Sequence, residues 1–406
     1  MVSVPTRVRT LFSQVPLSVW RVLAHSMIFG LALSITDILF NFYLASMGYA
    51  SDVAGLLSTV GRSAGMLLGF PMGLLVDRIG PRRALLTAIL AYVASWALLL
   101  MAHSLWMLIV CQFLVGGSYI LGAIAVTPLL ASITHNNQRA LAFGWNASAT
   151  FFVGLIGSVV GGLLPTIAGN LIGSDPQSTA AYRTALLSVL VLGIVAMLPV
   201  LRSFPIVVES AASMAAEAAR PTLPLRTLTR YALSSLLLGI GGGMILPFQN
   251  LFFRHQFTLS DPAVGAVLAW VALGMGLGGL VGAPVAKRIG MRRAAAYLRF
   301  GSAPAMVLML SPSLLLSVIG FFMRGLFVSA SFPLNDAIVM QATPMRQRGI
   351  ATSILNICWA GGWAGAAVIS GWVQLTWGFT PIIIATAIAY TFSAWAIVTL
   401  PLVESV

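Results

Sequence analysis

The side chains of this sequence that could do chemistry are a few ionisable groups set inside long apolar runs. Asp37, Arg62, Arg299, Arg324 and Asp336 each stand in such a run. Placing one in hydrocarbon costs about 2.5–3.5 kcal/mol on insertion scales, so it must be paired, hydrated or in use. A carboxyl taken out of water favours its neutral form and can take up and release a proton. A guanidinium pairs with a carboxylate or with an anionic ligand. Asp37 and Arg62 lie nine and ten residues from the same end of their runs. At about 1.5 Å per helical residue both are ~14 Å deep, so they could meet. Two readings stand for Asp37. It is a coupling or binding group, or half of a permanent ion pair that only fixes packing. Asp336 and Arg299 share a depth and read as a structural pair. Arg324 has no acid at its depth and reads as the counter-charge for an anionic group.

Other polar positions add detail. Gly30, Ser34, Asp37 and Asn41 fall on one helical face, as do Arg324, Ser331 and Asn335. Gln249 and Asn250 follow Pro247 and Gly241-Gly242-Gly243, a combination able to break a helix and expose backbone groups to a cavity. Asn356 and Trp359 are further cavity candidates, equally readable as interhelical contacts. His25, His103, His135 and His255 are scattered, so no metal site is expected. Cys111 and Cys358 lie in apolar runs and read as inert thiols. Gly61-Arg62-Ser63-Ala64-Gly65 matches the nucleophile elbow of hydrolases. It sits inside a helical run, however, where Gly61, Gly65, Gly69 and Gly73 make a packing ridge. No enzyme is expected. Without a phosphate-binding loop or a zinc motif, neither ATP-driven work nor a cofactor is expected either.

The elements that carry these residues follow from composition. Of 406 residues, 59% are apolar and only 8% charged, too few charges for a water-soluble surface. The net charge of +13 sits in short clusters between apolar runs. That arrangement suits lipid headgroups and argues against a nucleic-acid partner. Twelve stretches are long enough to span a bilayer: 19–46, 52–76, 84–102, 104–131, 139–168, 181–201, 227–254, 262–286, 294–310, 313–342, 347–375 and 379–400. The polar segment 202–226 reads as a cytoplasmic linker between two six-helix halves, 1–201 and 227–406. Arg62, Arg299 and Arg324 are mid-run and Arg183 and Arg254 fall on one side; the remaining 17 of 22 basic residues fall on the other. By the positive-inside rule both termini are expected in the cytoplasm, with the chain in the plasma (inner) membrane.

The halves repeat. Residues 51–93 align without a gap on 261–303, and Arg78-Ile79-Gly80-Pro81-Arg82-Arg83 falls on Arg288-Ile289-Gly290-Met291-Arg292-Arg293. The copies are parallel, related by an axis along the membrane normal. The segment Gly73-Leu74-Leu75-Val76-Asp77-Arg78-Ile79-Gly80-Pro81-Arg82-Arg83 resembles the signature loop of the major facilitator superfamily, G-x-x-x-D-R-x-G-R-R, with Pro81 departing from it. The resemblance implies an all-α membrane protein with 12 transmembrane helices in two pseudo-symmetric six-helix bundles. It implies a secondary transporter working by alternating access, with helices one, four, seven and ten around the cavity. It also makes Gly73, Asp77, Arg78, Gly80, Arg82 and Arg83 a cytoplasmic gate. Gly157-Ser158-Val159-Val160-Gly161-Gly162 is similar to the antiporter motif of that family, with Ser158 in place of proline. Gln112 stands where its drug/proton antiporters carry arginine. The expected activity is proton-coupled efflux of a small amphipathic compound by a monomer. The alternative is uptake or facilitated diffusion of a small metabolite, anionic where Arg324 is its counter-charge.

Overall fold

The computed structural model describes residues 16–134, 136–202, 225–342 and 345–399. Its helices are α1 (Leu17–Ser46), α2 (Ser51–Ile79), α3 (Pro81–Leu100), α4 (Leu105–Ser132), α5 (Asn136–Ile172) and α6 (Thr179–Leu201). After them, α7 runs over Leu225–Ile245, passes through a 3-10 turn at Leu246–Phe248 and resumes over Gln249–Phe257. Then come α8 (Asp261–Ile289), α9 (Met291–Met309), α10 (Leu314–Ala342), α11 (Met345–Trp377) and α12 (Thr380–Val398). Helices prevail because a bilayer offers no partner for a free peptide group. Eleven of the helical segments are long and apolar enough to cross a membrane; α9, with Arg292, Arg293 and Arg299, falls short on apolarity. The segment 203–224, which holds most of the expected linker, lies outside the described residues.

The packing has a twofold pattern. In the first bundle α1 packs on α5 and α6, α2 on α4, and α3 on α4 and α6. In the second, α7 packs on α11 and α12, α8 on α10, and α9 on α10 and α12. Each contact maps onto its counterpart six helices later. Two extensive contacts cross between the bundles, α2 with α11 and α5 with α8, and the same operation exchanges them; α1 also meets the second part of α7. The duplicated turn repeats in backbone detail. Gly80 and Gly290 have φ of 83° and 85° with ψ of 149° and 147°, a conformation that glycine alone adopts cheaply. Large apolar side chains such as Phe70, Leu171, Val191 and Trp395 are exposed around the outside, as a lipid-facing surface requires.

Loops joining the helices alternate between two faces. The terminal face carries the start of α1, the α2–α3 and α8–α9 turns and the end of α12. The far face carries the α1–α2, α3–α4, α5–α6, α7–α8, α9–α10 and α11–α12 loops.

Candidate functional site

The two bundles enclose a cavity of about 400 Å³. Its wall comes from α1, α2, α3, α4, α7, α8 and α11. Asp37 and Asn41, Arg62, Gln112 and Gln249 are its charged and amide groups. Phe40, Tyr92, Trp96, Tyr119 and Trp363 supply aromatic surface. Asp37 is exposed to this space. Gln112 Oε1, Gln249 Oε1 and Trp363 Nε1 have no hydrogen-bond partner within the protein. A groove of about 470 Å³ continues the space along α4 towards the terminal face, between Gly73, Val76 and Asp77 of α2 and Asn356 of α11.

At the far face the bundles are sealed together. A Cβ at Gly265 of α8 would stand 2.8 Å from the Cα of Gly162 of α5, so only glycine permits this approach. Thr59 donates to the Ala364 carbonyl at 2.5 Å, tying α2 to α11. Asn41 donates to the Pro247 carbonyl and, at 3.0 Å, to Asn250 Oδ1. Asn250 donates in return to the Ile38 carbonyl at 2.7 Å. The regular ladder is interrupted beside this contact by the 3-10 turn at Leu246–Phe248, where Pro247 has no N–H to donate. Further out, Tyr182 donates to Asp261 Oδ2 at 2.5 Å. Arg254 lies 3.6 Å from the other oxygen of Asp261, and its guanidinium covers the Phe42 ring at 4.4 Å. The seal ends towards the terminal face near Met66 and Gly361, and beyond it Gly69 and Gly73 would admit a Cβ without contact. The conformation is therefore closed at the far face and open at the terminal face.

The structure redistributes the residues expected at the site. Asp37, Asn41, Arg62 and Gln249 do share the cavity wall. Asp37 and Arg62 form no ion pair within 4 Å, whereas Arg254 and Asp261 do, at 3.6 Å. Instead the Arg62 guanidinium sits over the rings of Trp363, at 4.6 Å, and Trp359, at 5.3 Å. Asn250 is a correction, since it is 1% exposed and belongs to the seal. Asn356 lines the groove instead of the cavity.

Arg324 is a larger correction. It is 2% exposed inside the second bundle and donates to the Tyr390 hydroxyl of α12, and no described residue of α10 lines the cavity. Its stripe faces the bundle interior, a second place where a polar face escapes lipid. Arg299 is also enclosed, donating to Ser234 at 2.6 Å and to Ser393 at 2.8 Å. The Asp336 side chain expected beside it lies outside the described residues.

Of the gate residues, Asp77 lines the groove, and Asp77, Arg78 and Arg83 are exposed. Arg82 departs from the gate expectation in this conformation. It donates to the carbonyls of Val200 and Leu201, anchoring α3 to the end of α6. Arg21 does the same from α1 through Pro199 and Arg202. Both place a cation where a helix presents unpaired carbonyls. Ser63 donates to the Val60 carbonyl within α2 and has no elbow geometry. Trp363, the Arg62 platform, carries no signal in the sequence, because its pairing runs between helices far apart in the chain.

The family model for the Major Facilitator Superfamily matches residues 22–232 and again residues 231–405. The chain belongs to the Major Facilitator Superfamily. As a member it is a multi-pass membrane transporter of small substrates and not an enzyme. Its fold resembles that of a bacterial homologue of the human lysosomal transporter Spinster, in an inward-facing and occupied conformation. That match has a TM-score of 0.68 at 16% identity, over 98% of this chain and 94% of the other. The human organic anion transporter MFSD10 matches with a TM-score of 0.65 at 14% identity, over 93% and 98%. The fucose:proton symporter of E. coli matches with a TM-score of 0.63 at 13% identity, over 94% and 98%. In sequence, 160 residues are 30% identical to the class B tetracycline resistance protein of Escherichia coli. That stretch is 39% of this chain and 38% of the relative, so the match spans under two fifths of the curated relative.

Proposed function

We propose that this facilitator exports a small amphipathic compound in exchange for protons, and that Asp37 is the proton-binding group. The observation that carries the reading is the position of Asp37. It is the acidic residue of a cavity between the bundles, exposed to that cavity and held by no ion pair within 4 Å. A carboxylate in such a place can exchange a proton with whichever side the cavity faces. The cavity of about 400 Å³, with aromatic walls and three amides, suits a small ligand having both apolar and polar parts. The partial likeness to a tetracycline resistance protein supports export. The excess of basic residues on the terminal face supports a cytoplasmic location for that face. On that reading the conformation faces inward, ready to take substrate from the cell. The enclosure of Arg324 removes the residue that favoured an anionic metabolite.

The test is transport in liposomes with an imposed pH gradient. The wild-type chain accumulates its substrate against a concentration gradient, and Asp37→Asn retains at most passive equilibration. Undiminished accumulation by Asp37→Asn would refute the proton-binding assignment.

A further inference from the structure

The cavity holds two opposite charges that do not touch. Asp37 and Arg62 belong to the same bundle and line the same space. Yet the Arg62 guanidinium is turned to Trp359 and Trp363 on α11 of the other bundle. The two indoles are themselves packed, with ring centroids 5.2 Å apart. They have little freedom to follow Arg62. A Cβ at Gly242 of α7 would come 2.7 Å from the Trp363 ring, so α7 clasps that ring. An arginine over an indole is worth about 0.5–1 kcal/mol when exposed and about 2 or more when desolvated. The contact exists only while α2 and α11 are together, at the inner margin of the far-face seal. Moving α11 away to open the far face would strip Arg62 of its platform and leave an unpaired cation beside a carboxylate.

We propose that Trp359 and Trp363 are positioning residues that hold Arg62 away from Asp37 while the far face is closed, and that Arg62 passes to Asp37 when it opens. The proposal rests on Asp37 being the proton-binding group. It adds how the proton steers the conformation. With the far face open, a proton arriving on an Asp37 carboxylate oxygen removes the charge that holds Arg62. The released guanidinium is then available to the two indoles, which draws α11 back and closes the far face. When Asp37 loses the proton to the terminal side, its charge competes for Arg62 and weakens the clasp across the bundles. Among the described residues, the other titratable groups on this wall are Tyr92 from α3 and Tyr119 from α4. Because the far-closed state is the one that Asp37 occupies without its cation, acid favours that state.

The experiment uses the full chain in lipid nanodiscs, with Cys111 and Cys358 replaced by serine. Spin labels at Gln177→Cys and Ser313→Cys report the far-face distance between bundles as a function of pH. In the otherwise wild-type chain the far-closed population grows on acidification. Trp359→Leu with Trp363→Leu raises the far-open to far-closed ratio about tenfold at neutral pH. The milder Trp363→Phe, which keeps a ring, shifts it in the same direction by less. In an Arg62→Met background the tryptophan substitutions no longer move the ratio, and the pH dependence vanishes there and in Asp37→Asn. A tryptophan effect of equal size without Arg62, or a ratio indifferent to pH in the wild-type chain, overturns the switch. Substrate accumulation by Asp37→Asn is the separate readout that bears on the proton-binding assignment, so either idea can fail alone.

Discussion

Replacing Gly265 with alanine should unseat the far-face seal while leaving each bundle whole. The added methyl would stand 2.6 Å from the Ser158 carbonyl oxygen and 2.8 Å from the Gly162 Cα. These neighbours are backbone, so they cannot swing aside; α5 and α8 must part. Overpacking of this kind costs about 1–3 kcal/mol. The contact joins the two bundles, so the cost falls on the far-closed state and spares a state in which α5 and α8 are separated. The ratio of far-open to far-closed molecules should rise about 5- to 150-fold. Gly274→Ala is the matched control. Its methyl would stand 2.6 Å from the Phe322 carbonyl oxygen, a contact between α8 and α10 inside the second bundle. It should lower the melting temperature without moving the conformational ratio. Labels at Gln177 and Ser313, read by pulsed electron resonance in nanodiscs, give both populations. An unchanged distance distribution in Gly265→Ala, or an equal shift in Gly274→Ala, would refute the reasoning.

Two further substitutions separate the seal from the bundle interiors. Tyr182→Phe removes the bond to Asp261 that joins α6 to α8 and should raise the far-open fraction by the equivalent of about 1.5–3 kcal/mol, read with the same label pair. Tyr390→Phe takes the hydroxyl from the enclosed Arg324, whose Nε already lacks a partner. It should cost about 1–3 kcal/mol of stability, seen as a lower melting temperature, with transport per folded molecule unchanged.

The helical spans were largely legible, because a bilayer imposes both a minimum length and an apolar composition. The range 313–342 expected for the tenth span compares with Leu314–Ala342, and 19–46 with Leu17–Ser46. The expected second span ends at residue 76 because hydropathy falls at Asp77, whereas the helix continues to Ile79 before Gly80 turns it. Sequence stripes could show which faces avoid lipid, but not what those faces meet. On α1, Asp37 and Asn41 reach the cavity, while Gly30 packs within 3.6 Å of Val153 of α5, in terms of an added Cβ. On α10, Arg324 turns into its own bundle, where a phenol and the ring face of Tyr390 receive it. Depth alone points to a carboxylate, Asp37, as the partner of Arg62. The indoles that hold it are on a helix of the other bundle, and helical periodicity says nothing about that.

Alternating access is the central claim, and paired distances at the two faces of one sample test it most directly. Labels at Gln177 and Ser313 report the far face, and labels at Arg83 and Arg293 report the terminal face. When pH or substrate changes the populations, the far-face distance should lengthen as the terminal-face distance shortens. Faces that move together, or a terminal face that stays open while the far face opens, would contradict the account.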